Sequence, residues 1–582
     1  SALGANTTGS NHTAVGKDAL LVSTAGGYDT AIGDSVLKAN TSGNYNTGVG
    51  ASALAANTTA SDNTAVGYAS LAANTTGTKN TVVGKDAGLA ITTGDQNTAL
   101  GARSLQAATT ADHNTAIGEA ALYANTSGHS GVAVGSQALA ANTTGVENVA
   151  VGFTSLDANT TGSYNTAVGT DSMSANTTGQ ENVSVGWNSL DANTTGSYNV
   201  AIGASALGVN TTGESNVCIG YNAGDTITTG NANTGLGAGA LGATTTAGNN
   251  VAIGFEALGA NTTGASNTAV GRYALDAVTT VSSLVGIGSN ALGANTTGVH
   301  NVAVGTDAGL SVSTGSYNTA IGNFALDANS SSSFNTAIGY GALTTNGGAD
   351  NTAVGYLAME DCSAGHSNVA IGVSALGNLT TGNTNIVIGE DAGDAMTTAS
   401  GNVIIGHSAA VHDVNFATGS DCIIIGAYSD TSSTDASQQV VIGQNLTSKG
   451  NTTTFVTGVP YNGNNQAAWE TTSDERIKKN ISDNSTGLSE INQIRVRNFE
   501  YRTPEEVTEL PSHAAVDSQG IQVGVIAQEI ETILPDMVNV ESTGVKAVST
   551  NNLTWYLVNA IQELSAKVEE LESQPKCKCQ GD

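Results

Sequence analysis

The sequence predicts an all-β chain, a parallel β-solenoid of 17-residue repeats, followed by a small α+β domain that closes on a long helix. Three observations predict it. A unit typified by Asn63 to Lys79, NTAVGYASLAANTTGTK, recurs with its first residue at His12, Asp29, Asn46 and onward to Asn335 in steps of 17 residues. The fourth residue of every unit is Val, Ile or Leu, and the fifth is always Gly. From Ser473 the repeat is gone and the composition is that of an ordinary mixed domain.

The register slips by one residue to Asn351, resumes through Asn368, Asn385 and Asn402, loosens by three before Cys422, and makes a last step to Gln439, giving 26 units. A period this short marks a solenoid, in which no coil buries its apolar face alone. NTAVG alternates as a strand does, with the second and fourth side chains on one face and the first and third on the other. The apolar fourth residue gives the repeat a fixed inside. The third residue is small in most units (Ala65, Gly48, Ser184, Cys218), so its face packs closely as well. The Gly that follows implies positive φ or close approach to a neighbour. The rest of the unit offers a second short apolar pair, Ser70 and Leu71 here, and then Asn-Thr-Thr-Gly, whose side chains can bond to local backbone. One unit therefore reads as strand, turn, short strand, turn.

Helix is the competing reading, and glycine excludes it: the chain has 73 Gly, two in most units, each costing roughly 1 kcal/mol inside a helix. All five prolines (Pro460, Pro504, Pro511, Pro535, Pro575) lie beyond the array, as expected if every coil donates backbone bonds to the next. At ~4.8 Å per coil the array would extend roughly 125 Å.

Composition narrows the function. Aromatic residues are 4 % and charged residues 11 %, sparse for an ordinary enzyme of 582 residues but normal for a stacked array. The net charge is −31; up to Thr472 there are 7 Lys and Arg against 30 Asp and Glu, and from Ser473 onward 10 against 18. Both parts are acidic, which argues against nucleic acid or an anionic membrane as partner. Cys218, Cys362 and Cys422 are isolated and Cys577 and Cys579 sit in a polar tail, so neither a disulfide framework nor a metal pattern is expected. No apolar run approaches the ~20 residues of a membrane span, and no signal peptide is visible. The chain opens at the seventh position of a unit and without Met, so further chain is expected upstream.

The sixth and seventeenth positions exchange charged for aromatic residues and should face solvent. The sixth holds Tyr68, Phe153, Trp187, Tyr221 and Phe255, the seventeenth Tyr28, Tyr45, Tyr164, Tyr198, Tyr317 and Phe334. Columns of exposed rings can stack on sugars, or else shield turns and pack on one another. The recurring Asn-x-Ser/Thr is read as a turn ladder, since NTT falls in a Gly-flanked turn. From Asn385 the third position grows (NIVIG, NVIIG, CIIIG, QVVIG), so the interior there must widen or change partner.

The unit resembles the head repeats of trimeric autotransporter adhesins and the repeat rods of phage tail fibres. The resemblance covers residues 1 to 443 and is specific at NTAVG. It implies a homotrimer of left-handed parallel β-rolls with small residues facing the trimer axis, whereas the period alone also allows a monomer. The longer unit departs from those families.

Beyond a polar connector, 444–472, the domain 473–582 contains SDERIKKNI, LSEINQIRVRNFEYR and QVGVIAQEIETILPDMV, and ends in a helix on which Thr554, Leu557, Ile561, Leu564, Val568 and Leu571 form a heptad seam. The order of Ser-Asp-x-Arg-x-Lys, Gly524 to Glu529 and the terminal helix resembles the C-terminal intramolecular chaperone of phage tail fibres and endosialidases. That family trimerises, helps the preceding β-structure to fold and then cuts itself off. The resemblance implies Ser473 as nucleophile, Lys478 as base and Thr472–Ser473 as the cleaved bond. A Lys can act as base only if its pKa of ~10.4 is lowered by burial or neighbouring cations; Arg476 and Lys479 are candidates. The competing reading of Thr472-x-x-Glu475 is a helix capping box. Five residues separate Ser473 from Lys478, about 140° on a helix and opposite faces of a strand, so the pair must meet through a turn or across chains.

These expectations converge on a virion tail fibre shaft, non-catalytic apart from self-processing serine peptidase chemistry. It would have no cofactor and no metal, and its partners would be a host-surface glycan or protein and other tail proteins. A bacterial surface adhesin stalk is the alternative, and a polysaccharide-degrading tailspike the third reading.

Overall fold

In a computed structural model the described residues are 1–448, 454–456, 480–503, 506–508, 520–540, 544–550 and 552–574. They fall into two compact units, Ser1–Asp350 and Asn351–Asp582. In the first, strands β1 (Thr13–Val15) to β20 (Thr336–Ile338) are three residues long, one per coil. Each pairs in parallel with the next at a separation of one repeat, as where Thr64 stands beside Thr81 and Val66 beside Val83. In the second unit β21 (Thr352–Val354) to β26 (Val440–Ile442) repeat the pattern, and β27 (Thr454–Val456) pairs with β26. The parallel solenoid and its period are therefore as the sequence predicts.

The glycine after each strand meets both expectations: Gly67 has φ 132°, and a Cβ on it would lie 2.5 Å from the carbonyl oxygen of Gly84 in the next coil. The Asn-Thr-Thr turns do form ladders. Asn74 Nδ2 donates to Asn57 Oδ1 at 2.8 Å and to the Gly77 carbonyl at 3.0 Å, and the Thr75 hydroxyl donates to the Thr92 carbonyl at 3.0 Å. The leading Asn forms a second ladder, with Asn80 N–H donating to Asn63 Oδ1 at 2.9 Å. Cysteines take ladder places too: Cys362 Sγ lies 3.3 Å from the Gly365 carbonyl, the bond an Asn makes in other coils. Burial pushes its thiol up to about 11, and that of Cys218, on a strand, up to about 12.

Two expectations are corrected. The second apolar pair is not a strand. Ala69 and Leu71 have φ 53°, the left-handed region, and the segment turns. Holding Leu there costs about 1–2 kcal/mol, which burying its side chain offsets by about 1.5–3 kcal/mol. Its N–H is also bonded to the Ala87 carbonyl at 2.9 Å. The turn thus keeps the coil-to-coil bonding that a strand would have supplied.

The second correction concerns the inside. The alternation is as expected, but the small third residues (Ala65, Ala99, Ala167, Ala201) are fully buried within the chain's own coil and pack opposite the buried Leu of the turn. The fourth residues face outward: Leu100 is 47 % exposed and Ile202 37 %. The reason is width. A Cβ on Gly48 would stand 2.5 Å from Val36 Cγ1, so even Ala does not fit where the turn opposite is bulky. Small residues therefore line the coil interior rather than an axis between chains.

That interior is volume-compensated in a way sequence reading missed. Four coils place Gly where others have the buried Leu, namely Gly88, Gly224, Gly309 and Gly393, and each then has Ile91, Ile227, Val312 or Met396 in place of the ladder Asn. The apolar chain occupies the vacated space: a Cβ on Gly224 would meet Ile227 Cδ1 at 2.9 Å. The enlarged third residues after Asn385 follow the same rule, since buried Val387 and Ile404 face coils whose Leu has become Gly393 and Ala410. The partner changes.

The described part of the C-terminal domain contains α1 (Leu488–Ile491), an antiparallel pair β28 (Arg497–Phe499) and β29 (Gln522–Gly524), and α2 (Ala527–Ile533). A second antiparallel pair, β30 (Val538–Val540) and β31 (Lys546–Val548), precedes α3 (Leu553–Ser573). Ile530, Leu534, Met537 and Tyr556 form its core, with Ile491, Ile494, Val525 and Leu553 packed around it.

Candidate functional site

Thr472, Ser473 and Lys478 lie outside the described residues, as do Arg476, Lys479, Glu475, Cys577 and Cys579. What is described is the scaffold that follows them. Residues 484–488, a short distance along the chain, are fixed to α3: Asn559 Nδ2 donates to the carbonyls of Asn484 at 3.0 Å and Thr486 at 3.1 Å, and Leu488 N–H donates to Glu563 Oε2 at 3.0 Å. Residues 484–488 are thereby held by the helix expected to associate with copies of itself.

The Gly524 to Glu529 motif has a structural role at each end. Gly524 closes β29, and a Cβ there would stand 3.1 Å from the Phe499 ring. Glu529, in the first turn of α2, receives two bonds from Arg497, Nε to Oε2 at 3.2 Å and Nη2 to Oε1 at 2.6 Å. The guanidinium holds the Glu529 carboxyl below its ordinary range. At the other side of the core Asp536 accepts from the Tyr556 hydroxyl and from Asn552 Nδ2, which depresses its pKa. Lys546 bonds Glu531, tying β31 to α2.

Helix α3 has two different sides. Tyr556 and Ala560 are buried against the domain, while Leu557, Ile561, Leu564, Val568 and Leu571 are exposed. The expected heptad seam is thus solvent-facing in the single chain. Further apolar side chains stand exposed on the same domain, among them Val496, Ile521, Val523 and Trp555.

On the array, Tyr68, Phe153, Trp187, Tyr221 and Phe255 are all exposed, as expected for the sixth position. Their counterparts one coil on are Lys85, Thr170, Ala204, Ala238 and Arg272, so these rings do not continue into aromatic columns. The seventeenth position behaves differently. Tyr28 stacks on Tyr45 with centroids 5.1 Å apart, and His300, Tyr317 and Phe334 form a run at 5.0 and 5.2 Å. There the rings shield the turn and one another. No described helix is long and apolar enough to cross a membrane.

Residues 473–539 match the family described as chaperone of endosialidase, Peptidase_S74. This segment is a chaperone-of-endosialidase domain. Its match begins at the serine expected to be the nucleophile. A probable tail fiber protein of Escherichia phage Phieco32 is 33 % identical over 108 residues, 18 % of this chain and 13 % of that protein. The matched stretch therefore spans a small part of the relative's length.

Proposed function

We propose that the chain is the shaft of a phage tail fibre, a virion component that contacts the host surface. Its C-terminal domain would drive trimerisation and folding and then cut Thr472–Ser473. The observation that carries this reading is the chaperone-of-endosialidase match, which begins at residue 473 beyond a 26-strand array of coils. The name of the phage relative points the same way.

The assembly we propose is a homotrimer of left-handed β-rolls, with the domain boundaries 1–443, 444–472 and 473–582. Two apolar surfaces support association: the outward column of fourth-position residues and the exposed seam of α3. Each removes apolar area from water only when copies meet. In the cut, the Ser473 hydroxyl attacks the Thr472 carbonyl as Lys478, deprotonated, takes its proton; Lys478 then passes that proton to the departing Ser473 amine, and water hydrolyses the ester left between Thr472 and the Ser473 side chain. Because 484–488 is pinned to α3, association of α3 would orient the scissile segment and make cutting depend on assembly. The exposed sixth-position rings Tyr68, Phe153, Trp187, Tyr221 and Phe255 are our candidates for contact with host glycan.

Intact-mass analysis of the expressed chain tests the reading. Two fragments are expected, ending at Thr472 and beginning at Ser473, while Ser473→Ala and Lys478→Met each leave one uncut chain. Cutting that persists in Ser473→Ala would refute the dyad. A soluble, assembled array expressed without residues 473–582 would refute the chaperone role, since long-range parallel pairing is slow and exposes its edges as it forms.

A further inference from the structure

The coil that opens at Asn402 is 20 residues long where its neighbours have 17, and the extra residues fall between buried Ala410 and buried Phe416. Both ends keep register: Ala410 N–H bonds the Ser429 carbonyl at 2.8 Å, and Ala417 N–H the Thr434 carbonyl at 2.9 Å. The insertion therefore bulges outward, carrying His412 and Asp413. In the next coil Asp430 stands where most coils bury Leu, and it is fully buried.

Asp430 Oδ2 accepts the backbone N–H of Asp413 at 2.6 Å and of Val414 at 3.3 Å. Its Oδ1 is buried without a hydrogen-bond partner. A buried carboxylate with one oxygen unanswered calls for a compensating positive charge. His412 Nδ1 lies 3.2 Å from Asp413 Oδ1, and the Thr447 hydroxyl donates to Asp413 Oδ2 at 3.3 Å. The imidazole also packs against Tyr428, centroids 5.2 Å apart. One donor atom from each of His412, Asp413 and Asp430 lies within 4.8 Å of the others, close to the span of ligands around one ion. His412 and Asp413 are partly exposed, which gives an ion an entry path.

We infer that His412, Asp413 and Asp430 bind one divalent transition-metal ion, zinc by preference, which clamps the 20-residue coil onto its successor. Two carboxylates supply the countercharge for a dication. The imidazole selects against calcium and magnesium, which take oxygen ligands, and suits zinc, with water completing the shell. The coil that carries the insertion is thus the one that gains a cross-link.

The test is calorimetric titration of Zn2+ into the full chain carrying Cys577→Ser and Cys579→Ser, so that the thiol tail does not compete. One ion per chain is expected, and His412→Ala and Asp430→Asn should each weaken binding by about tenfold or more. Asp430→Asn keeps an acceptor for the two backbone N–H groups, so its metal-free Tm should equal or exceed the parent's. Chelator should lower the Tm of the zinc-loaded parent and leave that variant unmoved. No binding, binding that both variants retain, or a parent Tm indifferent to chelator would each overturn the site.

Discussion

In the coils, most bonds that tie one coil to another run to its immediate neighbour, as where Asn80 N–H meets Asn63 Oδ1 at a separation of 17 residues. In the C-terminal domain they reach much farther, as where Leu488 N–H meets Glu563 75 residues away. The array can therefore extend coil by coil once one coil is fixed, but has no coil able to stand first. The domain supplies long-range contacts around a core as small as Ile530, Leu534, Met537 and Tyr556, and leaves much of α3 apolar and exposed. Each region is incomplete in its own way: one lacks a nucleus, the other lacks neighbours. The proposed chaperone, assembling through α3, would answer both.

A charge placed on either side of one coil wall should act very differently. Leu190 is fully buried in the turn, so Leu190→Asp should cost the array about 3–5 kcal/mol and lower its Tm by several degrees. Val185 lies on the outward face, so Val185→Asp should leave the coils folded by circular dichroism but weaken association of copies. Equal unfolding by both would refute the assigned faces.

Next in size is compensation between the buried Leu and the ladder Asn. Leu190→Gly alone should cost about 2–5 kcal/mol as a cavity. Adding Asn193→Ile should restore a large part of that loss, because Gly224 with Ile227 is the same pairing in a coil of the same length. Thermal melts of the two variants measure it, and strict additivity of the losses would contradict the volume argument.

Acid should separate the two regions. In the array, burial raises the carboxyls of Asp29, Asp157, Asp225, Asp276, Asp327 and Asp394. Raised groups bind protons more tightly when folded, so the stability they contribute is complete below the unfolded value and is lost as pH rises through the folded one. In the domain, Glu529 is depressed by Arg497, and Asp536 by Tyr556. Their contribution is present above the unfolded value and is lost as pH falls through the folded one. Between about pH 5 and 3 the array should therefore gain stability while the domain loses it. Melts of the separated cleavage products would show the opposite slopes, and parallel slopes would contradict the assignment.

The smallest effect is expected at the exposed rings. Trp187→Ala should leave Tm unchanged within about 0.5 kcal/mol while lowering binding of the array to host cells. A ring whose removal changed Tm and not binding would belong with the stacked pair Tyr28 and Tyr45 as a structural shield.

How much of this was legible in the sequence divides along the same physical lines. The period, the strand at NTAVG, the close approach at Gly67 and the ladder of Asn74 are local, and each leaves its residue type at a fixed spacing. The direction of burial was not legible, because Ala65 and Val66 are both apolar and a wall between two packed faces has the same pattern whichever face is the coil's own. The turn at Leu71 looks like a strand in the sequence because an apolar pair gives no sign of left-handed φ. The trade between Gly224 and Ile227 was present in the sequence, at positions nine and twelve of the unit, but only the coil's cross-section shows that those positions share one space. In the domain, the apolar row on α3 was readable from its heptad spacing, whereas the pinning of 484–488 to that helix depends on tertiary contacts that no spacing records.

Each coil closes within one chain, and the outward fourth-position column is the proposed seam between copies. Multi-angle light scattering on the purified array released at Thr472 tests it most directly. Three times the mass of one array is expected, reduced to a single mass by charges placed on the outward column at Val168, Val185 and Ile202. A parent array that runs at the mass of one copy, or a trimer untouched by those charges, would contradict it.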